Sequence, residues 1–178
     1  MFWNRKKNKS TEYKCSECGQ MHIKWPALAF NSPANYHNLS DNEKSKIGKL
    51  DSDFCEIHYE DQIDRFIRVS LTQKVNEACE TLQYGLWVSL SEKSYIDYKE
   101  NFNNPNHETG YFGWLCNNVA EYGNTSLIPC DVMTKSGNDR PEIFPHEDFE
   151  HPFVKDYYNG ISKTEAENRI ERMIKNVG

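Results

Sequence analysis

Hydrophobic and polar residues alternate along several segments of the chain, and this pattern predicts β-strands. Phe54–Tyr59 alternates loosely, a polar turn follows, and Arg65–Leu71 alternates again, so the two segments predict a hairpin. Tyr84–Leu90 is apolar enough to predict a central strand that is covered on both faces. The polar residues 72–83 predict a loop or a short helix. Three further strands are predicted in the second half of the chain, at residues 111–116, 125–134 and 141–144.

Three helices are predicted from capping signals and from apolar residues at helical spacing. Ser40–Glu43 fits the S-x-x-E capping box and predicts a helix that ends near Gly48. Ser91 predicts the start of a second helix, which runs to about Phe102 and has one aromatic face. Ser162–Glu165 fits a second capping box and predicts a terminal helix. The apolar stripe of that helix is Ala166, Ile170, Met173, Ile174 and Val177.

These elements predict one α+β domain over residues 13–178, preceded by a flexible basic tail over residues 1–12. The strands cluster in the middle of the chain, which predicts a single antiparallel sheet of about five or six strands with about three helices. Only 37% of the residues are hydrophobic, but 13% are aromatic. We therefore expect a core that is built on large rings.

The apolar segments are too short to cross a membrane. No run approaches the roughly 18–20 residues that a transmembrane helix needs. No apolar stretch follows the basic residues at the N-terminus, as it does in a secretory signal. We therefore expect a cytoplasmic protein without a membrane span, whose six cysteines are kept reduced.

Charge is distributed unevenly along the chain. The net charge is −6, from 21 basic and 27 acidic residues, and five of the basic residues lie within the first 14 positions. The acidic body repels phosphates, so we do not expect nucleic acid to be the main ligand. Residues 142–156 hold five acids against Lys155 alone, and such a surface suits a basic protein partner. The candidate partner-binding residues are Glu142, Glu147, Asp148, Glu150 and Asp156.

A second candidate site lies near the N-terminus. Cys15 and Cys18 have the C-x-x-C spacing of a zinc knuckle, in which a tight turn presents two thiolates to one ion. Gly19 permits the left-handed backbone that such a turn requires. His22 follows Cys18 by four residues and can reach the same ion. We take Cys15, Cys18 and His22 as candidate ligands of a structural Zn²⁺.

This set of three ligands leaves the zinc site incomplete. Structural zinc takes four ligands, and the chain has no second C-x-x-C pair. Cys55 or His37 is the candidate that completes the site from elsewhere in the chain. The alternative is a loop with two thiols that bind no metal. A redox motif is disfavoured, because it needs a helix after the two cysteines, and Gly19 and Pro26 argue against one.

Known catalytic motifs are missing from the sequence. His146–His151 resembles the H-E-x-x-H helix of metalloproteases, but Glu150 stands where the second histidine is needed. Pro145 and Pro152 bracket this segment and disfavour a helix. The chain also has no G-x-S-x-G elbow, no phosphate-binding P-loop and no dinucleotide fingerprint. These observations favour a protein that is not an enzyme.

Short motifs spread over residues 13 to 175 resemble a bacterial family known as domain of unknown function 2199. The resemblance implies a small bacterial cytosolic protein, and it implies no reaction. In size and acidity the chain also looks like the immunity proteins encoded beside bacterial polymorphic toxins. The motifs that carry the family resemblance are Cys15–His22, Asp53–Cys55, Trp87–Ser91, Tyr111–Leu115, Arg140–Pro141, His151–Pro152 and Asn159–Ile161.

Two functional hypotheses follow from the sequence. The first is an acidic protein-binding module, most specifically an immunity protein that neutralises a basic toxin by covering its active site. The second is a zinc-binding protein, or a small metal- or cysteine-dependent enzyme, that uses Cys15, Cys18 and His22. An open coordination position favours the enzyme, whereas four protein ligands exclude metal catalysis at this site. The sequence predicts no oligomeric state.

Overall fold

The computed structural model describes residues 12–16, 18–137 and 139–176, so the predicted tail, apart from Glu12, lies outside the described residues. Among the described residues the helices are α1 (Ala34–His37), α2 (Asp41–Ile47), α3 (Glu92–Glu100), α4 (Pro152–Asn159) and α5 (Lys163–Asn176). The strands are β1 (Glu12–Lys14), β2 (Met21–Ile23), β3 (Leu28–Ala29), β4 (Gly48–Leu50), β5 (Phe54–His58), β6 (Ile63–Gln73), β7 (Val75–Asn76), β8 (Leu82–Leu90), β9 (Gly110–Leu115), β10 (Pro129–Met133), β11 (Glu142–Pro145) and β12 (Ile161–Ser162).

Five of these strands close into a barrel. The two longest, β6 and β8, pair antiparallel from Phe66↔Ser89 to Gln73↔Leu82. The last residues of β8 pair with β9, and β9, β10 and β11 form an antiparallel meander. β11 then returns to β6 in a parallel pairing at Glu142↔Ser70, which completes the ring. Closure pairs the backbone N–H and C=O groups that an open sheet would leave exposed at its edges.

The barrel interior is filled by aliphatic side chains that alternate along the strands. β6 alternates between buried and half-buried residues over its second half, as the sequence pattern predicts. β8 is buried at residues 86–88 in succession, as expected of a central strand covered on both faces. α4 and α5 cover part of the barrel with Phe153, Ala166 and Ile170, all of them buried. The fully buried residues of the five barrel strands include Ile67, Val69, Leu71, Leu86, Val88, Leu115, Val132 and Ile143.

A smaller core lies outside the barrel wall. Residues Phe30–Leu50 carry α1, α2 and β4 across the outer face of β6 and β8 and bury Trp87 completely. The Trp87 indole donates to the Phe30 carbonyl at 3.0 Å. Asn117 accepts from the Trp87 amide at 2.8 Å and donates to the Ser32 carbonyl at 3.0 Å, so one buried amide side chain fixes both segments.

The α+β class predicted from the sequence is correct, but the simple antiparallel sheet with three helices is wrong. The described residues form five helices, and the main sheet is mixed because β3–β8 and β11–β6 are parallel. α1, which is only four residues long, was not predicted. α4 was not predicted because we interpreted Pro152 as disfavouring a helix, whereas it occupies the first position of this helix. The polar segment 72–83 contains the end of β6, all of β7 and the start of β8.

The predicted capping signals are present at all three helix starts. Ser40 and Glu43 form the reciprocal capping box at α2. Ser91 accepts from the Ser94 amide at α3. Ser162 accepts from the Glu165 amide at 3.2 Å, but the Glu165 carboxylate accepts a hydrogen bond from Arg169 instead of completing a box. Among the described residues, no helix is long and apolar enough to cross a bilayer.

A half-buried carboxylate, that of Glu56, ties α3 to β5. Glu56 accepts from Tyr95 Oη at 2.9 Å, Lys99 Nζ at 3.0 Å and His58 Nε2 at 2.8 Å. Burial opposes ionisation of Glu56, but the hydrogen bonds from Lys99, His58 and Tyr95 outweigh it and lower the pKa of the carboxyl to about 2. The Glu56 carboxylate therefore stabilises the folded chain when it is charged.

We expect the stabilisation by Glu56 to depend on pH. Glu56→Gln should lower the free energy of unfolding at pH 7 by about 1–2 kcal/mol, after allowance for solvent screening. Because the pKa is depressed in the folded state, the difference from the wild type should shrink as pH falls from about 5 toward 2. Urea unfolding at several pH values measures this, with the exposed Glu60→Gln as the control. An equal difference at pH 7 and pH 3 would contradict the assignment.

Candidate metal centre

The first hairpin holds its two cysteines in a tight turn. β1 and β2 pair from Glu12↔Ile23 to Lys14↔Met21. The Cys15 amide donates to the Gln20 carbonyl at 2.8 Å, and the Gly19 amide donates to the Cys15 carbonyl at 2.9 Å. Gly19 has φ +71°, the left-handed conformation expected after a C-x-x-C turn. β2, and not a helix, follows this turn. This agrees with the argument against a redox motif, which needs a helix after the two cysteines.

Four potential ligand atoms converge at this hairpin. The sulfurs of Cys15, Cys18 and Cys79 and a ring nitrogen of His22 all lie within 4.8 Å of one another. In a tetrahedral zinc site with Zn–S bonds of about 2.3 Å, the ligand sulfurs stand about 3.8 Å apart. Cys15 is buried, Cys79 and His22 are half-buried, and Cys18 is exposed. The structure therefore brings three cysteines and one histidine close enough together to hold one metal ion.

His22 is oriented by a neighbouring carboxylate. Its Nε2 lies 3.0 Å from the Cys18 sulfur, and its Nδ1 lies 2.8 Å from Oε1 of Glu80. The Glu80 side chain is only 10% exposed. A carboxylate that accepts a hydrogen bond from Nδ1 fixes the tautomer in which Nε2 is free to bind a metal. Because Cys79 and Glu80 are adjacent, one loop supplies both a potential ligand and the carboxylate that orients His22, another potential ligand.

The thiols of the cluster influence one another. Hydrogen bonding with Cys18 and Cys15 raises the pKa of Cys79 to about 12, with burial and the charges of the same two cysteines adding to the effect. The ring of Tyr13 lies 6.0 Å from that of His22. Burial and the charge of Glu80 raise the pKa of the Tyr13 hydroxyl. The hydroxyl therefore stays protonated beside Glu80 at neutral pH.

The fourth member of the cluster was not the one expected. Cys55, a predicted candidate, is 1% exposed in the small core under α2, where burial raises its thiol pKa to about 12. His37 lies exposed on α1. Neither residue joins the cluster, and Cys79 takes the position instead. The sequence signal for Cys79 is weak, since a lone cysteine in a polar loop has no ligand spacing.

The five acids of residues 142–156 fall into two groups: two are paired within the chain and three are exposed. Glu142 pairs with Lys135 at 2.7 Å, and Asp156 accepts from the Tyr122 hydroxyl at 2.7 Å. Glu147, Asp148 and Glu150 are exposed in the turn between β11 and α4. The segment that resembles a metalloprotease helix is therefore a turn. His146 contacts Asp131 at 3.1 Å and His151 caps α4, so the two histidines serve separate structural contacts.

An exposed apolar surface lies beside this acidic turn, on the outer face of β9, β10 and β11. We call Phe112, Trp114, Met133 and Phe144 the aromatic face; each is between 40% and 46% exposed. Phe112 and Trp114 meet edge to face with ring centroids 5.0 Å apart. Asp131 lies between Phe112 and Phe144 in the strand register. Large rings at this exposure are typical of interaction surfaces.

Comparison with known proteins places the chain in a family. No curated protein and no solved structure matches it. One family model matches residues 14–161, which include the turn and second strand of the first hairpin, the barrel strands, α4 and all four residues of the cysteine–histidine cluster. The match agrees with the resemblance that the sequence motifs indicate. The chain therefore belongs to the DUF2199 family, described as an uncharacterized protein conserved in bacteria.

Proposed function

We propose that this protein binds one zinc ion through Cys15, Cys18, His22 and Cys79, and that the ion fastens the first hairpin to the loop between β7 and β8. The convergence of four ligand atoms within 4.8 Å carries the proposal. Three thiolates and one imidazole form a common ligand set of structural zinc. The contact between His22 and Glu80 adds the carboxylate support that zinc-binding histidines usually have.

The same ligand set favours a structural role over catalysis. A catalytic zinc site keeps one position open for water or substrate, whereas four protein ligands fill a tetrahedral shell. Cys79 supplies the ligand that a site made of Cys15, Cys18 and His22 alone would leave to water. The small zinc enzyme considered from the sequence is therefore the weaker hypothesis.

Native mass spectrometry of the chain purified without chelator tests this proposal. We expect one zinc ion per chain, and we expect cobalt(II) substitution to give the absorption of a tetrahedral site with sulfur ligands. The Cys116→Ala variant removes a buried cysteine outside the cluster and should retain one ion per chain. A metal-free chain, or a cobalt spectrum with a coordinated water, would contradict the proposal.

A second proposal concerns the aromatic face. We propose that the protein binds a basic protein partner through this face, with the exposed acids Glu147, Asp148 and Glu150 at its edge. Large rings supply the apolar centre of an interface, and the acids steer a basic partner toward it. A toxin neutralised by an immunity protein is the most specific partner of this kind. Glu142 and Asp156 contribute less, because they are paired within the chain.

Isolation of the protein from its own host tests the second proposal. We expect a basic protein to co-purify with the wild type and to be lost from the Trp114→Ala variant, because a central tryptophan commonly contributes 2 kcal/mol or more to binding, about thirtyfold. The Ile174→Ala variant removes an exposed apolar side chain on α5 and should keep the partner. Association should slow as salt rises. Equal recovery with both variants would contradict the proposal.

A further inference from the structure

A polar cleft lies away from both surfaces described above. It has a volume of about 510 Å³ and opens between the end of α3, the loop from β10 to β11, and Asp53 before β5. Its walls include Ser70, Tyr98, His107 and Arg140. The cleft is large enough for a small metabolite, and the cysteine–histidine cluster contributes no residue to its walls.

Arg140 offers an unused hydrogen-bonding edge at this cleft. Its Nε donates to Oδ1 of Asp53 at 2.6 Å, and the other oxygen of Asp53 accepts from the Ser52 hydroxyl at 2.6 Å. Within the described part of the chain, the two terminal nitrogens of Arg140 have no partner. A guanidinium with both terminal nitrogens free binds a carboxylate in a planar, two-point arrangement.

A second guanidinium leaves this end of the cleft with a positive charge. Burial, followed by the nearby charge of Arg140, lowers the pKa of Arg68. Burial opposes ionisation of Asp53, but hydrogen bonds from Arg140 and Ser52 and the charges of both arginines lower the pKa of its carboxyl. One carboxylate therefore faces two guanidinium groups, so this end of the cleft favours a negatively charged group of a ligand.

Tyr98 adds a hydrogen-bond donor. The residue is only 6% exposed, and its ring packs between Phe54 and Phe102 at centroid distances of 5.7 and 5.9 Å. Tyr98 lines the cleft, and its hydroxyl has no hydrogen-bond partner among the described residues. Burial raises the pKa of this hydroxyl, with Asp53 adding to the effect, so it remains protonated and able to donate. A hydroxyl without a protein partner at the wall of a cleft can donate to a ligand.

We infer that the cleft is a binding site for a small molecule with one carboxylate group, which the terminal nitrogens of Arg140 and the hydroxyl of Tyr98 hold together. The site presents three donor atoms from two side chains, at the end of the cleft where two guanidinium groups face one carboxylate. A phosphate dianion fits less well, because Asp53 and Asp139 also line the cleft and repel the second charge. This inference does not depend on zinc or on a protein partner.

Titration of the whole chain, as purified, followed by ¹⁵N–¹H spectra tests the inference. The probes are acetate, lactate and benzoate, each compared with its primary amide, together with inorganic phosphate. We expect at least one carboxylate to shift the amide resonances of Ser70 and Gly137 and to bind about tenfold more tightly than its amide. The amide has the same shape but lacks the charge that Arg140 recognises.

Two variants separate recognition from folding. Arg140→Gln should weaken carboxylate binding by about tenfold to a hundredfold, and Tyr98→Phe by about tenfold. Tyr98→Phe keeps the ring contacts and should fold normally, so the test holds even if Arg140→Gln is unstable. Arg172→Gln removes an exposed arginine on α5 and should bind like the wild type. Equal binding of carboxylate and amide, tighter binding of phosphate than of any carboxylate, or unchanged binding by Tyr98→Phe would overturn the inference.

Discussion

Replacing Cys79 with serine is expected to lower zinc affinity by at least about a hundredfold. Structural zinc binding contributes about 10–16 kcal/mol in small zinc domains, so one of four ligands accounts for roughly 3 kcal/mol or more. The Cys79→Ser variant also frees the β7–β8 loop from the hairpin, because Cys79 is the ligand from that side of the site. Competition with a chromophoric chelator measures the loss of affinity, and thermal unfolding measures the accompanying loss of stability.

A graded control accompanies this prediction. Glu80→Gln keeps all four ligands but removes the carboxylate that orients His22, so we expect a smaller loss of about tenfold to a hundredfold in zinc affinity. Chelator treatment of the wild type should lower its melting temperature and should leave the melting temperature of Cys79→Ser nearly unchanged. The prediction is wrong if Cys79→Ser binds zinc as tightly as the wild type does.

Arg169→Met is expected to destabilise the fold by about 3–5 kcal/mol, the usual effect of removing one partner from a buried charged network. The Arg169 side chain is 3% exposed and joins α5 to the barrel. It donates to Glu165 at 2.8 Å, to Tyr84 at 2.9 Å and to Tyr122 at 2.8 Å. Its guanidinium carbon also lies 4.8 Å from the centroid of the Tyr122 ring. The substitution leaves these partners without the cation that they surround.

Urea unfolding of two further variants tests the role of the guanidinium geometry. Arg169→Lys keeps the charge but cannot donate in three fixed directions, so we expect an intermediate loss of stability. Arg172→Met changes an exposed arginine of the same helix, 52% exposed, and should alter the free energy of unfolding by less than about 0.5 kcal/mol. Wild-type stability in Arg169→Met would show that the network contributes nothing.

Local sequence patterns predicted most of the longer strands and helices. The features of the fold that were not predicted depend on contacts between residues far apart in the sequence. The alternation along β5 and β6 and the apolar run in β8, which is covered on both faces, are visible in the sequence. Closure of the barrel rests on a single parallel pairing between Glu142 and Ser70, which leaves no local pattern. Strands of two or three residues, such as β3 and β4, are too short to show a period.

The candidate sites also contain some residues that local sequence patterns predict and others that only the folded structure reveals. Cys15, Cys18 and His22 lie within eight positions, so their spacing indicates a turn that can hold a metal ion. Cys79 reaches them only because β7 and β8 place its loop against the hairpin. Arg169 shares a buried helix face with Ala166 and Ile170, but a charged residue gives no apolar signal there. Its partners become apparent only when Tyr84 and Tyr122 are placed around it.

The way in which the barrel closes also constrains how the chain folds. Ser70 and Glu142 are about 70 residues apart, so the ring cannot close on a ribosome until β11 has emerged. Until then, the part of β6 that does not pair with β5 and one edge of β10 have unpaired backbone groups. Such groups can form hydrogen bonds with strands of other chains. Contacts of such long sequence separation also slow folding. Slow closure makes the nascent chain, rather than the finished barrel, the species most prone to aggregation.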